Sequence, residues 1–135
     1  MGRVILDTDI LVDFLRGVDK AVKMVEDFIK GDTDICTTSI NAFELYWGSF
    51  KLGKSKRVDA VDRLLTHLNV INFTQREARA CGEEMAYLES IGMQIDIRDL
   101  IIGVLTRENN GAIVTGNVKH FSRIRNLSTL RYERK

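Results

Sequence analysis

Apolar and polar positions fall in blocks along this chain, and the period of the pattern changes from block to block. Arg3 to Asp7 is a short β-branched and apolar run with a charged stop, which predicts a buried strand. Thr8-Asp9 then offers a helix N-cap before Ile10, Leu11, Phe14 and Leu15, spaced along one helical face, and Gly17 ends that helix. A second amphipathic stretch places Val22, Val25, Phe28 and Ile29 inward and closes at Lys30-Gly31. Asp34 to Thr38 reads as a second strand, Ser39 to Leu52 as a helix rich in aromatics, and Lys54 to Leu68 as another helix. Val70 to Phe73 is a brief strand, and Thr74-Gln75-Arg76-Glu77 is a capping box that opens a helix reaching Ser90. Asp96 caps a further helix, Ile97 to Asn109, which Asn110-Gly111 stops. Ala112 to Thr115 is a strand, and Thr129 to Tyr132 a last edge strand. Strands alternating with helices predict a three-layer α/β/α sandwich around a mainly parallel, roughly five-stranded sheet. No repeat or linker interrupts the pattern, so residues 1–135 are expected to form one domain.

Composition narrows the class. Hydrophobic residues make up 44% and charged residues 29%, which excludes a disordered or low-complexity chain. Twenty basic side chains against 19 acidic ones exclude a uniformly basic nucleic-acid coat and an acidic tail. Proline is absent, where average usage would give about 7. Proline-rich linkers and recognition segments are therefore excluded. Cys36 and Cys81 lack metal-type spacing and read as buried free thiols of a reducing compartment. Val4-Ile5-Leu6 is too short for a signal-peptide core, and Leu100 to Leu105 too short to span a bilayer. The expectation is a soluble, cytoplasmic protein.

The near-neutral total conceals an asymmetry. Residues 1–50 carry a net charge of −4, residues 51–100 a net charge of 0, and residues 101–135 a net charge of +5. In open parallel sheets ligands sit beyond the carboxyl ends of the strands, and several acids fall there. Asp7 ends the first strand, with Asp9 two residues on. Glu44 lies about one turn into the helix after the second strand. Asp96 and Asp99 flank the start of the helix leading into the Ala112 strand, which Thr115 ends, with Asn117 two residues beyond. Carboxylates converging without a basic partner repel one another unless divalent cations neutralise them. Oxygen donors of this kind suit Mg²⁺ or Mn²⁺, while His67 and His120 alone make a poor zinc set. Each acid taken singly also has a structural explanation. Glu44 closes a capping box in Asn41-Ala42-Phe43-Glu44, and Asp96 and Asp99 suit the positive end of a helix dipole. Asp7 is the exception, because an acid directly after Val4-Ile5-Leu6 at the ligand edge needs a reason.

Four motifs in series carry a family likeness: Val4-Ile5-Leu6-Asp7-Thr8-Asp9, Asn41-Ala42-Phe43-Glu44-Leu45, Asp96-Ile97-Arg98-Asp99-Leu100-Ile101-Ile102-Gly103, and Ile113-Val114-Thr115-Gly116-Asn117-Val118-Lys119-His120-Phe121. Together they resemble the PIN-domain family, and most nearly its VapC-type ribonuclease toxins of prokaryotic toxin–antitoxin pairs. The resemblance covers nearly the whole chain. It implies an endoribonuclease that uses one or two Mg²⁺ or Mn²⁺ ions and leaves 5′-phosphate and 3′-hydroxyl ends. It also implies a homodimer inhibited by a cognate antitoxin encoded alongside. Asp7, Glu44 and Asp99 match the family's three main acids, with Asp99 fitting its slot better than Asp96. The fourth acid slot is Asn117 here, which keeps a carbonyl ligand but removes one negative charge. His120 stands where an aspartate often precedes the family's phenylalanine. Both departures bear on the second ion. Thr115 matches a polar residue that the family keeps near the site, with Asp96 and Asp9 as supporting acids.

An acidic cluster needs cations nearby to hold RNA. Lys51, Lys54, Lys56 and Arg57 form one run without an intervening acid. Arg123, Arg125, Arg131, Arg134 and Lys135 form another, with Lys119 beside the acids. Each of these alone is an ordinary solvated side chain, and as groups they are candidates for phosphate contact. Arg16 and Arg98 neighbour the acids and are candidates to pair with them. Phe43, Trp47 and Phe50 read as a core stripe on their helix, widened by Tyr46 into a candidate surface for a homodimer or an antitoxin.

Two other functions use the same residues. Asp7-Thr8-Asp9 also resembles the opening motif of haloacid-dehalogenase-type phosphatases, with Asp7 as nucleophile, Asp9 as general acid and Thr38 or Ser39 on phosphate. A non-catalytic PIN-like binding module is the third reading, for which Asn117 and His120 are the signs.

Overall fold

A computed structural model describes residues 2–134. The first apolar run forms β1 (Arg3–Leu6), one residue shorter than predicted, because Asp7 leaves the strand to cap α1 (Thr8–Leu15). Cap duty therefore falls to Asp7, whose carboxylate accepts from the Thr8 N–H, and not to Thr8 or Asp9. After α2 (Asp19–Lys30) come β2 (Asp34–Thr38), α3 (Ser39–Lys51), α4 (Ser55–Thr66) and β3 (Asn69–Ile71). The chain continues through α5 (Gln75–Ser90), α6 (Ile97–Glu108), β4 (Ala112–Thr115), the short α7 (Val118–Phe121) and β5 (Ser128–Arg131). The sequence pattern did not predict α7, whose single turn is too short to show a period.

The five strands form one sheet in the order β3-β2-β1-β4-β5, every neighbouring pair parallel. Side chains alternate across it as the two-residue period requires. Val4 and Leu6 of β1 and Val114 of β4 face a core built with Ile10, Leu11, Ala21, Val25, Leu45 and Val61 from α1 to α4. Ile5, Cys36 and Ile113 face the opposite core, built with Leu88, Leu100, Ile102 and Leu105 from α5 and α6. Helices thus cover both faces, and the predicted three layers are present. Both cysteines are buried free thiols, pushed up to about 11 by burial and so inert at neutral pH.

Two helical stripes differ from their sequence reading. In α2 the buried pair is Ala21 and Val25, and Ile29 is exposed. In α3 the buried residues are Asn41, Leu45 and Ser49, while Phe43, Trp47 and Phe50 are each at least half exposed. The second difference is a reversal. An apolar stripe and a polar one run along the same helix, and the polar one faces inward, where Asn41 bonds to Asp7 and Ser49 satisfies its hydroxyl on the Leu45 carbonyl of its own helix. Tyr46 alone of the α3 aromatics packs against the core. Among the described residues no helix is long and apolar enough to cross a membrane.

Candidate active site

β1 lies at the point where the strand order changes direction: β2 is on one side and β4, which follows two crossovers later, on the other. Ligands bind at such a switch point, beyond the carboxyl ends of the strands. Asp7 stands there. Its backbone N–H donates to the Val114 carbonyl at 3.0 Å, which extends the β1–β4 ladder by one bond and fixes the carboxylate between the two strand ends. The side chain is only 5% exposed. Oδ1 accepts from the Thr8 N–H at 2.9 Å and from Asn41 Nδ2 at 3.1 Å, and Oδ2 accepts from Thr115 Oγ1 at 2.7 Å. Burial still outweighs these three donors, and Asp9 adds repulsion, so the Asp7 carboxyl is pushed up to about 6.

Thr38, at the end of β2, caps α3: its Oγ1 accepts from the Asn41 N–H. With that cap in place the capping box expected at Asn41 does not form, and Glu44 turns toward α1 instead. Thr8 Oγ1 donates to Glu44 Oε1 at 2.7 Å, and Arg98 Nη1 stands 3.4 Å from Oε2. Arg98 also lies 3.5 Å from Asp96, and its guanidinium is 6.0 Å from the Trp47 ring centre.

Asp96 performs its predicted role as the N-cap of α6, accepting from the Arg98 N–H at 2.9 Å. Asp99 follows in the first turn, half-buried. Burial and the charges of Asp96 and Glu44 raise its carboxyl, against the opposing pull of His120 and Arg98. His120, on α7, holds Nδ1 3.9 Å from Asp99 Oδ2. Asn117 caps α7 in sequence only, since its side chain makes no cap hydrogen bond; it is exposed, and its N–H donates to Thr115 Oγ1 at 2.9 Å.

The structure therefore joins Asp7, Thr8, Asn41, Glu44 and Thr115 in one hydrogen-bonded unit. Asp99 and His120 face one another beside it. Asp9 is placed differently. Its Oδ1 accepts from the Ile10 N–H and its Oδ2 from the Gly116 N–H, both at 2.7 Å, so it latches α1 to the loop after β4. A Cβ at position 116 would lie 2.8 Å from that Oδ2 and 3.3 Å from the Tyr132 carbonyl, so a side chain there would displace the latch. Asn41 and Thr8 were missed as site residues from sequence. The signal available was a polar residue, Asn41, four before Leu45 on what proves to be the buried face.

These donors are chemically suited to a hard divalent cation. Oδ2 of Asp7 receives a single donor, so it retains acceptor capacity, and Asp99 carries charge that its surroundings do not balance. Among the described residues no group of three or more His, Cys, Asp or Glu side chains is gathered closely enough to hold a metal ion.

The basic candidates divide sharply. Lys54, Lys56 and Arg57 are exposed and line an open groove with Val12, Arg16, Leu45 and Glu44, so that groove runs into the acidic site. Lys119 is exposed on α7, one residue from His120. Arg123 donates to the Gln94 carbonyl. Arg125 is a correction: its guanidinium bonds to Glu84 and lies 3.7 Å from the centre of the Tyr87 ring. It precedes β5 and sits at the amino-terminal edge of the sheet, opposite Asp7, where it cannot touch a substrate bound at the acids. Arg131 stands 3.8 Å from Glu133, and Arg134 grips the buried Asp13 at 2.6 Å, so neither is a free cation. Lys135 lies outside the described residues.

The PIN domain family model matches residues 4–127. The curated protein Ribonuclease VapC2 of Rickettsia felis is 33% identical over 124 residues, covering 90% of this chain and 92% of that protein. Ribonuclease VapC2 of Haemophilus influenzae is 25% identical over 130 residues, covering 96% and 97%. Among solved structures, VapBC2 from Rickettsia felis bound to a promoter DNA fragment superposes with a TM-score of 0.88 at 29% identity, covering 97% of this chain and 99% of that one. The matched region starts in β1 and ends just before β5, and contains Asp7, Asp9, Glu44, Asp96 and Asp99. This chain belongs to the PIN-domain family.

Proposed function

We propose that this protein is a divalent-metal-dependent endoribonuclease and the toxin of a VapBC-type toxin–antitoxin pair. The observation that carries the reading is Asp7, a carboxylate buried at the switch point with one oxygen still open to a ligand and Asp99 arriving from α6. The ribonuclease names of two relatives spanning nearly the whole chain support the same activity.

Asp7 and Asp99 would hold the cation, with Asn117 offering a neutral amide oxygen. When a Mg²⁺ or Mn²⁺ ion is bound there, it supplies Lewis-acid activation of a water and of the scissile phosphate. Thr115 aligns Asp7 through Oδ2, and the two donors on Oδ1 keep that carboxylate from rotating. Glu44 would join the two aspartates as a further oxygen donor, with its own charge partly balanced by Arg98. The charge count favours one ion: Glu44 is paired, and Asn117 brings none. Lys54, Lys56, Arg57 and Lys119 border the acids and would hold the RNA backbone, so affinity for RNA falls as salt rises. The exposed face of Phe43, Trp47 and Phe50 supports a protein partner, either a second copy or the antitoxin.

The phosphatase reading asks Asp9 to act as a general acid. Both of its oxygens are occupied by backbone N–H groups, and the family match lies elsewhere.

The test incubates purified protein with single-stranded RNA in Mg²⁺ or EDTA, with p-nitrophenyl phosphate as a second substrate. Internal cleavage of RNA in Mg²⁺, abolished by EDTA, with p-nitrophenyl phosphate left intact, is the expected outcome. Hydrolysis of p-nitrophenyl phosphate alone would restore the phosphatase. RNA binding without cleavage would make the protein a binding module.

A further inference from the structure

Behind Asp7 runs a chain of hydrogen bonds in which every proton has a determined direction, starting from a group that has no choice. The Asn41 backbone N–H can only donate, and it takes Thr38 Oγ1 at 3.1 Å. The Thr38 hydroxyl then sends its own proton to Asn41 Oδ1 at 2.7 Å. That bond orients the Asn41 amide with its oxygen toward Thr38 and its nitrogen toward the site. The two Nδ2 hydrogens go to Asp7 Oδ1 at 3.1 Å and to Thr8 Oγ1 at 2.9 Å. Thr8, accepting there, has its proton free for Glu44 Oε1 at 2.7 Å. The inner part of the chain is out of water: Asn41 and Thr38 are fully buried, Thr8 and Glu44 partly so, and among the described residues no buried side-chain polar atom lacks a partner.

We infer that Asn41, acting through Thr8, is a positioning residue that sets the mutual orientation of the Asp7 and Glu44 carboxylates and thereby the affinity of the site for a divalent cation. The inference rests on the metal reading above and deepens it. Asp7, the cap of α1, and Glu44 of α3 come from different parts of the chain, and no direct bond joins them. The Thr38 cap fixes the first turn of α3, the cap orients the amide, and the amide orients both acids. Two donors crowd Oδ1 of Asp7 and one engages Oδ2, so the open acceptor position is on Oδ2. A carboxylate free to rotate would offer that position only part of the time. Hydrogen bonds to ligating groups commonly change metal affinity by 10–100-fold when removed.

The experiment titrates Mn²⁺ alone into RNA-free protein by calorimetry, using wild type, Thr8→Val, Thr8→Ser, Asn41→Ala and the Thr8→Val/Asn41→Ala double variant, each melted first to establish that it folds. Thr8→Val keeps the shape of threonine and loses the hydroxyl; its Mn²⁺ affinity is expected to fall about tenfold or more, with Thr8→Ser within about threefold of wild type. The double variant should lose no more than the weaker-binding single variant, because the two residues act in series. Wild-type affinity in Thr8→Val, a loss in Thr8→Ser as large as in Thr8→Val, or losses that simply add would each overturn the inference while leaving the metal reading intact. A wild-type protein that binds no Mn²⁺ would overturn both.

Discussion

Replacing Asp7 by Asn is expected to abolish Mg²⁺-dependent RNA cleavage and, at the same time, to make the metal-free protein more stable at pH 7. The two effects have one cause. A buried carboxylate with an open acceptor position is what a divalent cation needs, and without a cation it is a charge taken out of water. The loss of activity follows from removing a ligand whose ion contributes several kcal/mol to the transition state, a fall on the order of a thousandfold or more. The gain in stability follows from the sign of the Asp7 shift. Its folded value, about 6, lies above its ordinary value of 3.8, so ionisation opposes folding with full effect above pH 6, and the penalty fades as pH falls from 6 toward 4. At pH 7 that penalty is about 3 kcal/mol at most, which corresponds to a rise in Tm on the order of 10 °C for Asp7→Asn. Asparagine fits the place: its oxygen can take the two Oδ1 donors while its nitrogen donates to Thr115 Oγ1, which has acceptor capacity. Thermal melts in EDTA at pH 7 and pH 4 check the stability half, and the difference between variant and wild type should shrink at the lower pH. A variant that cleaves RNA normally, or that melts well below wild type at pH 7, would contradict this account of Asp7.

Glu84 shows the opposite balance. It is as buried as Asp7, with its side chain 2% exposed, but it is matched by cations. Arg107 Nη1 lies 2.9 Å away, Arg125 Nη2 3.2 Å, and the Arg125 backbone N–H donates to Oε2 at 3.1 Å. Burial acts to raise this carboxyl, and the hydrogen bonds from Arg125 and Arg107 overcome it, so Glu84 is held below the usual glutamate range. The charge therefore stabilises the fold fully above the ordinary value of 4.5, and the contribution is lost as pH falls through the lowered folded value. Glu84→Ala removes the shared carboxylate of a buried ionic cluster and leaves Arg107, whose side chain is only 16% exposed, with Glu108 as its remaining ionic partner. The expected loss is about 3 kcal/mol or more, seen as a drop in Tm on the order of 10 °C. RNA cleavage at a permissive temperature should be unchanged, since Arg107 is two turns of α6 beyond Asp99, about 12 Å along the helix. Denaturation at pH 7 and at pH 3 measures the stability term: the gap between wild type and variant should narrow at pH 3.

These two acids also mark the boundary of what the sequence made legible. Asp7 was visible because a charge directly after three apolar residues at a strand end conflicts with burial unless it has work to do. Glu44, Asp99 and Thr115 were visible through their order and spacing relative to predicted strand ends, and those strand ends were right to within one or two residues. Glu84 carried no such sign. Its partner Arg107 is 23 positions away and Arg125 is 41, and nothing local in Glu83-Glu84-Met85 separates a buried acid from a solvated one. Asp13 was hidden in the same way: its partners Tyr132 and Arg134 come from the far end of the chain. Asn41 was misread as the start of a capping box because Thr38, three residues earlier, is an equally good cap, and only the end of β2 decides between them. The α3 aromatics were placed inward by hydrophobicity alone. That rule fails where a helix carries two stripes and the polar one has partners inside. The charge split between the two ends of the chain survives in altered form: the acidic opening does supply Asp7 and Glu44, whereas most of the basic close is spent on Glu84, Asp13 and Glu133.

The account stands or falls on where a metal binds. Crystals grown with Mn²⁺ and measured near its absorption edge would locate the ion by its anomalous signal. The expected result is a peak coordinated by Oδ2 of Asp7 and a carboxylate oxygen of Asp99, absent in crystals of Asp7→Asn. A peak bound elsewhere, or crystals of a cleavage-competent protein with no ion between these two acids, would contradict it.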